Sequence, residues 1–175
     1  MDKKILVTYA SKYGTTAEIA EKIGEVLRQA NLHTDVLSVK QVRDLTAYEA
    51  VILGSAVYYG KWRKDAVRFL KKKEKDLTER AVWLFSSGPS GEGDPVERLN
   101  GWRFPPPQQA VADRIQPRDI TVFHGAVIPE KLSSFETKIL ENIKAPIGDF
   151  RDWDAITSWA TSIAISLKET ELKLA

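Results

Sequence analysis

"TYASKYGTTAEIAEKI", residues 8–23, is the stretch whose reading decides the fold. An apolar run of strand length, "KKILVTYA" (3–10), ends in a loop of hydroxyls around one glycine, and a helical pattern starts at once. Over 15–30, Ile19, Ile23, Val26, Leu27 and Ala30 recur at helical spacing with charges between them. Ser11, Tyr13, Thr15 and Thr16 therefore stand where a strand hands over to a helix. Hydroxyls and backbone N–H groups at a helix start can hold a phosphate without any cationic side chain. The plainer alternative is that Thr15 or Thr16 simply caps the helix. The loop has no Gly-Lys-Ser/Thr, and only Gly14 stands where a dinucleotide fingerprint needs three glycines. That argues against ATP and NAD, and a terminal phosphomonoester suits the loop better.

The alternation continues along the chain. Strand patterns cover 33–39, 49–57, 80–87 and 120–128, and helical patterns cover 63–77 and 153–172, with Asp152 a candidate N-cap. The apolar runs "EAVILGSAV" (49–57) and "RAVWLFSS" (80–87) read as strands buried on both faces. Strands alternating with helices predict an α/β protein, a three-layer doubly wound five-stranded parallel sheet. Ligands in such sheets bind outside the carboxyl ends of the strands. The unusual residues fall there, in loops 10–16, 55–62 and 86–93. Segment 88–118 breaks the pattern with "GPSGEGDP", "GWRFPPP" and a short helix "QQAVADRI". It reads either as a lid or substrate wall beside the site or as a structural excursion from a single domain, 1–175.

Composition narrows the chemistry. The chain has no cysteine and two histidines, so disulfides, thiolate metal sites and a cysteine nucleophile are excluded and a metal centre is not expected. Any redox chemistry must come from an organic cofactor. A net charge of +2 argues against nucleic acid, and the lysine-rich run 68–80 reads as the solvated face of a helix. No stretch reaches the ~18 apolar residues of a membrane span. The N-terminal apolar run is short and lacks a cleavage site, so a cytoplasmic protein with at most peripheral membrane contact is expected.

The second loop, "GSAVYYGKW", brings Tyr58, Tyr59 and Trp62 around Gly60, as stacking on a flat heterocycle would require. The third, "SSGPSGEGD", can offer hydroxyls and N–H groups to that ring's polar edge. With these residues the chain resembles flavodoxin-like FMN proteins. Within them it is similar to the flavodoxin-domain family that includes menaquinone-dependent protoporphyrinogen dehydrogenase. A family motif after the third strand falls on Gly54–Lys72, with Tyr59, Gly60 and Phe69 among its positions, and the "DW" pair that opens the last helix is Asp152–Trp153.

The resemblance implies strand order 2-1-3-4-5 and non-covalently bound FMN. Ser11, Lys12, Tyr13, Gly14, Thr15 and Thr16 would lie at the phosphate, and Ala56, Val57, Tyr58, Tyr59 and Gly60 along one side of the isoalloxazine, with Tyr59 stacking. Ser86, Ser87 and Gly88 would approach the pyrimidine edge. Lys12 is a departure, since flavodoxins commonly carry a hydroxyl there; its charge could steady the phosphate or face solvent. The mild positive charge is another, since electron-shuttling flavodoxins are strongly acidic. No acid–base pair stands out, so no side chain is expected to be catalytic and the chemistry falls to the flavin. The implied activity is transfer of reducing equivalents from a protoporphyrinogen-like small molecule to a quinone or redox-protein acceptor; the alternative is a non-enzymatic electron carrier. Monomer and homodimer both fit. His124 is expected to be a core or hydrogen-bonded residue, Asp149 and Asp152 turn and cap residues, and Trp153 to pack on the body, while Arg151 could reach an acidic substrate.

Overall fold

The structure, a computed structural model, describes residues 4–174. Five parallel strands form the sheet: β1 (Lys4–Ala10), β2 (Thr34–Ser38), β3 (Tyr48–Tyr58), β5 (Ala81–Ser87) and β6 (Asp119–Phe123), in the order β2-β1-β3-β5-β6. A two-residue strand, β4 (Lys61–Trp62), folds back antiparallel on the end of β3. The expected fold class and strand order are therefore found, the hairpin being an addition.

Side chains alternate between the two faces of the sheet. Ile5 and Val7 of β1, Ala50 and Ile52 of β3, and Trp83 and Phe85 of β5 meet helices α1 (Thr15–Gln29) and α7 (Trp153–Leu174). Helix α7 presents Ile156, Ala160, Ile163, Ala164 and Leu167, one helical stripe, to that core. On the other face Leu6, Val51, Leu53, Val82 and Leu84 meet α2 (Lys64–Lys72), α3 (Glu74–Thr78) and α5 (Gln109–Ile115). The helix expected over 63–77 is thus two pieces, meeting at Lys73. At the sheet's centre Gly54 pairs with Phe85, and a Cβ at Gly54 would overlap the Phe85 ring. That space lets Phe85 lie flat on the strand and meet Phe123 and Trp159 at centroid distances of 5.9 and 6.0 Å.

Segment 88–118 contains α4 (Pro95–Arg98) and α5, and its second half belongs to the body. Phe104, Val111, Ala112 and Ile115 are buried in the second core, Phe104 edge-to-face with Trp62 at 4.9 Å. Only its first residues stay at the carboxyl edge of the sheet. The strand expected over 120–128 stops at Phe123, because β5 ends at Ser87, its last partner. Beyond it the chain leaves the sheet. Ala126–Val127 (β7) pairs instead with Gly148–Asp149 (β8), and between them stand a turn at Pro129–Lys131 and helix α6 (Ser134–Asn142). This strap, 126–149, carries an S-x-x-E pattern at 133–136 that forms a capping box.

Two polar groups, one buried and one half-buried, generate predictions. The Thr8 hydroxyl, on the same strand face as Leu6 and Ala10, is fully buried without a hydrogen-bond partner. Thr8→Val, which keeps the shape, is expected to stabilise the fold by about 1 kcal/mol in urea denaturation. The Tyr48 hydroxyl donates to the Asp35 carboxylate at 2.9 Å, and burial, then that bond, pushes its pKa up to about 12. An unfolded tyrosine releases its proton near pH 10, so the fold loses this contribution as pH rises from about 10 to about 12. Tyr48→Phe should make the stability-against-pH curve shallower in that window.

Candidate functional site

Register brings the strand ends level: Ala10 opposes Ser55, Ser55 opposes Ser86, and Ser86 opposes Val122. The loops that follow β1, β3 and β5 consequently open on one edge. In the first, the Gly14 N–H donates to the Ser11 hydroxyl at 3.0 Å, and Gly14 takes a left-handed conformation (φ 86°) as the N-cap of α1. No side chain caps that helix. Thr15 and Thr16 are its first two residues, so the reading in which either threonine caps α1 fails. The first-turn amides and the positive end of the helix dipole face the loop.

The second loop is a two-residue hairpin in which Tyr59 (φ 50°) and Gly60 (φ 70°) both take positive φ, as a type I′ turn demands. It projects the Tyr59 ring into solvent, 84% exposed. Tyr58 points inward, its ring edge-to-face with Tyr13 at 6.2 Å, and burial pushes its phenol up to about 12. Trp62 does not join them. It is buried, its indole N–H donating to the Ser86 hydroxyl at 2.7 Å, so Trp62 and the Ser86 side chain serve the core. Ala56 and Ser87 are also buried, while Val57 is half-buried at the edge.

The third loop presses on the second. A Cβ on Gly88 would stand 2.8 Å from the Val57 carbonyl oxygen. His124 fastens this loop from behind, its Nδ1 3.0 Å from the Pro89 carbonyl and its Nε2 2.6 Å from that of Gly93. It is a hydrogen-bonded histidine, as expected, at a strand end.

The strap crosses the first loop. The Glu136 carboxylate accepts from the Lys12 ammonium and the Tyr13 hydroxyl, and from the Ser133 N–H and hydroxyl at 2.9 and 3.0 Å. These bonds, Lys12 foremost, hold the Glu136 carboxyl down to about 2 and raise the Lys12 ammonium. Burial, then the bond to Glu136, raises Tyr13. Lys131 lies 3.9 Å from Glu18. Arg151 is spent on internal partners: it binds Asp149 with two nitrogens at 2.9 and 2.6 Å, and also the Glu18 carboxylate and the Thr15 carbonyl. Trp153 lies under the Arg151 guanidinium at 4.7 Å and stays 37% exposed. Asp152 caps α7 through the Ala155 N–H at 2.9 Å. The strap's part in the site, and Glu136 above all, escaped the sequence reading. The S-x-x-E pattern could have located its helix, though not what the carboxylate touches.

A family model for the flavodoxin domain matches residues 6–154. The chain belongs to the flavodoxin-domain family. Among solved structures it is similar to a flavodoxin from the domain Archaea, with TM-score 0.64 and 18% identity, covering 94% of this chain and 99% of that one. It is also similar to rubredoxin oxygen:oxidoreductase from Desulfovibrio gigas, with TM-score 0.62 and 16% identity over 96% of this chain and 37% of that one. At such identity these structures share the flavodoxin fold. Among curated proteins, the protoporphyrinogen IX dehydrogenase [quinone] of Escherichia coli (strain K12) is 25% identical over 85 residues, 47% of each chain. The chain spans about half the length of the curated relatives it matches. Among the described residues of this flavodoxin-domain protein, no group of acidic residues and histidines is placed to hold a metal, and no helix is long and apolar enough to cross a membrane.

The close approach of Gly88 to Val57 is testable. Gly88→Ala is expected to destabilise by about 1–3 kcal/mol through overpacking, and to raise amide hydrogen exchange locally in 56–60 and 88–93.

Proposed function

We propose that this flavodoxin-domain protein is an FMN-dependent oxidoreductase that takes reducing equivalents from an organic substrate of the protoporphyrinogen class and passes them to a quinone or similar acceptor. The observation that carries the cofactor's placement is the meeting of three loops on one sheet edge beside a helix start that no side chain caps. The donor set fits a phosphomonoester: first-turn amides of α1 with the hydroxyls of Ser11, Thr15 and Thr16. Tyr13 closes one side of this cradle. Ala56, Val57, Tyr58, Tyr59 and Gly60 would flank the isoalloxazine, and Ser87 and Gly88 its pyrimidine edge, with Ser86 acting only from behind, through Trp62.

When bound, FMN supplies hydride or electron transfer, and the protein supplies position and electrostatics. Tyr58 keeps its proton across the physiological range and remains a neutral hydrogen-bonding ring. Tyr59, fixed at its backbone by the hairpin, offers an exposed aromatic face at the rim. The matched stretch of the E. coli dehydrogenase supports the substrate class, and the net charge of +2 speaks against the acidic surface of a shuttle. The exposure of Tyr59 favours a second reading, an electron carrier that meets a protein partner at that rim.

The test is equilibrium binding of FMN, a reductive titration of the complex, and an anaerobic assay of protoporphyrinogen with a quinone. Reduction in one two-electron step together with quinone-dependent turnover is the expected outcome. Two one-electron steps without turnover would establish the carrier instead, and failure to bind FMN would sink both readings.

A further inference from the structure

Among the described residues, three cations and three carboxylates pair around the start of α1. Lys12, Lys131 and Arg151 stand there against Glu136, Glu18 and Asp149, and each cation has a carboxylate partner. Lys12 is the cation within the loop itself. Its partner Glu136 comes from a helix 124 residues further along the chain, and is held from its own side by Ser133. The capping box, the Lys12 ammonium and the Tyr13 hydroxyl together fix one carboxylate beside the loop. Lys131, on the same strap, approaches Gly14: its Nζ lies 3.9 Å from where a Cβ there would stand.

We propose that Glu136 is an affinity-setting residue of the phosphate site: by neutralising Lys12 it lowers the loop's attraction for a phosphomonoester dianion and leaves recognition to the amides and hydroxyls. This rests on the reading that residues 11–16 hold the FMN phosphate. With Glu136 paired to Lys12, the pair adds no net charge to the loop. Removing the carboxylate leaves one positive charge, and removing the ammonium leaves one negative. A phosphate dianion at the amides feels either change through its charge, whereas the uncharged part of the flavin does not.

The experiment measures dissociation constants of FMN and of riboflavin, which lacks the phosphate, by flavin fluorescence quenching at low salt. Wild type, Glu136→Gln, Lys12→Gln and the double variant are compared. The glutamine keeps its oxygen for the Ser133 N–H and turns its amide N–H to the Tyr13 hydroxyl oxygen, so the capping box persists while the Lys12 ammonium loses its acceptor. A unit charge a few ångströms from the phosphate in a partly solvated site changes binding about tenfold. Glu136→Gln is therefore expected to bind FMN about tenfold more tightly. Lys12→Gln should bind it more weakly by a similar factor, and the double variant should return close to wild type. Riboflavin should not distinguish the four proteins, and added salt should shrink the differences. Unchanged or weaker FMN binding by Glu136→Gln, or riboflavin affinities that move in parallel with those for FMN, overturn the proposal, because they make Glu136 a structural tie of the strap. Wild-type protein that holds riboflavin as tightly as FMN overturns the phosphate placement beneath it.

Discussion

A parallel sheet covered on both faces is the constraint from which the rest of this molecule follows. Its strands cannot be joined by tight turns, so each crossover must travel the length of the sheet, and here the crossovers between most strands carry helices. The loops after β1, β3 and β5 thus leave from one edge, at strand ends kept level by the register of Ala10, Ser55 and Ser86. Burial of Ile5, Val7, Leu6, Leu53, Leu84 and Phe85 fixes that register, since a slip of one residue would turn each strand's apolar set to the wrong face. The site is rigid at its base because the core is.

The elements over that base are held differently. No residue of α6 is buried, and the strap is tied to the first loop and to α1 by polar contacts: Glu136 to Lys12 and Tyr13, Lys131 to Glu18. The hairpin that carries Tyr59 depends on turn geometry and two ladder pairs. The third loop rests on Val57 and on the two carbonyls that His124 faces. A hydrophobic base with polar, solvent-accessible walls lets the edge respond to charge without disturbing the fold.

Segment 88–118 combines both regimes. Residues 88–93 remain at the edge beside Val57, while Phe104 and the inner face of α5 complete the layer over β3 and β5. The length of this connection comes largely from that covering role.

Much of this was legible in the residues. Helical and strand periodicities, the doubly apolar runs and the hydroxyl loop determined the fold class, the strand order through family resemblance, and the edge on which the three candidate loops open, because burial and turn chemistry are written locally. Spacing could not reveal which aromatic faces inward. Tyr58, Tyr59 and Trp62 are similar as letters, and the hairpin's backbone angles and the bond from Trp62 to Ser86 separated them. Nor could it show where β6 stops, since that depends on the length of its neighbour. Tertiary structure alone decided that Glu136 meets Lys12, that Lys131 reaches Gly14, and that Arg151 is consumed internally. Those contacts join residues far apart in the chain, and the passage of the strap beside the first loop creates the electrostatics that no single segment contains.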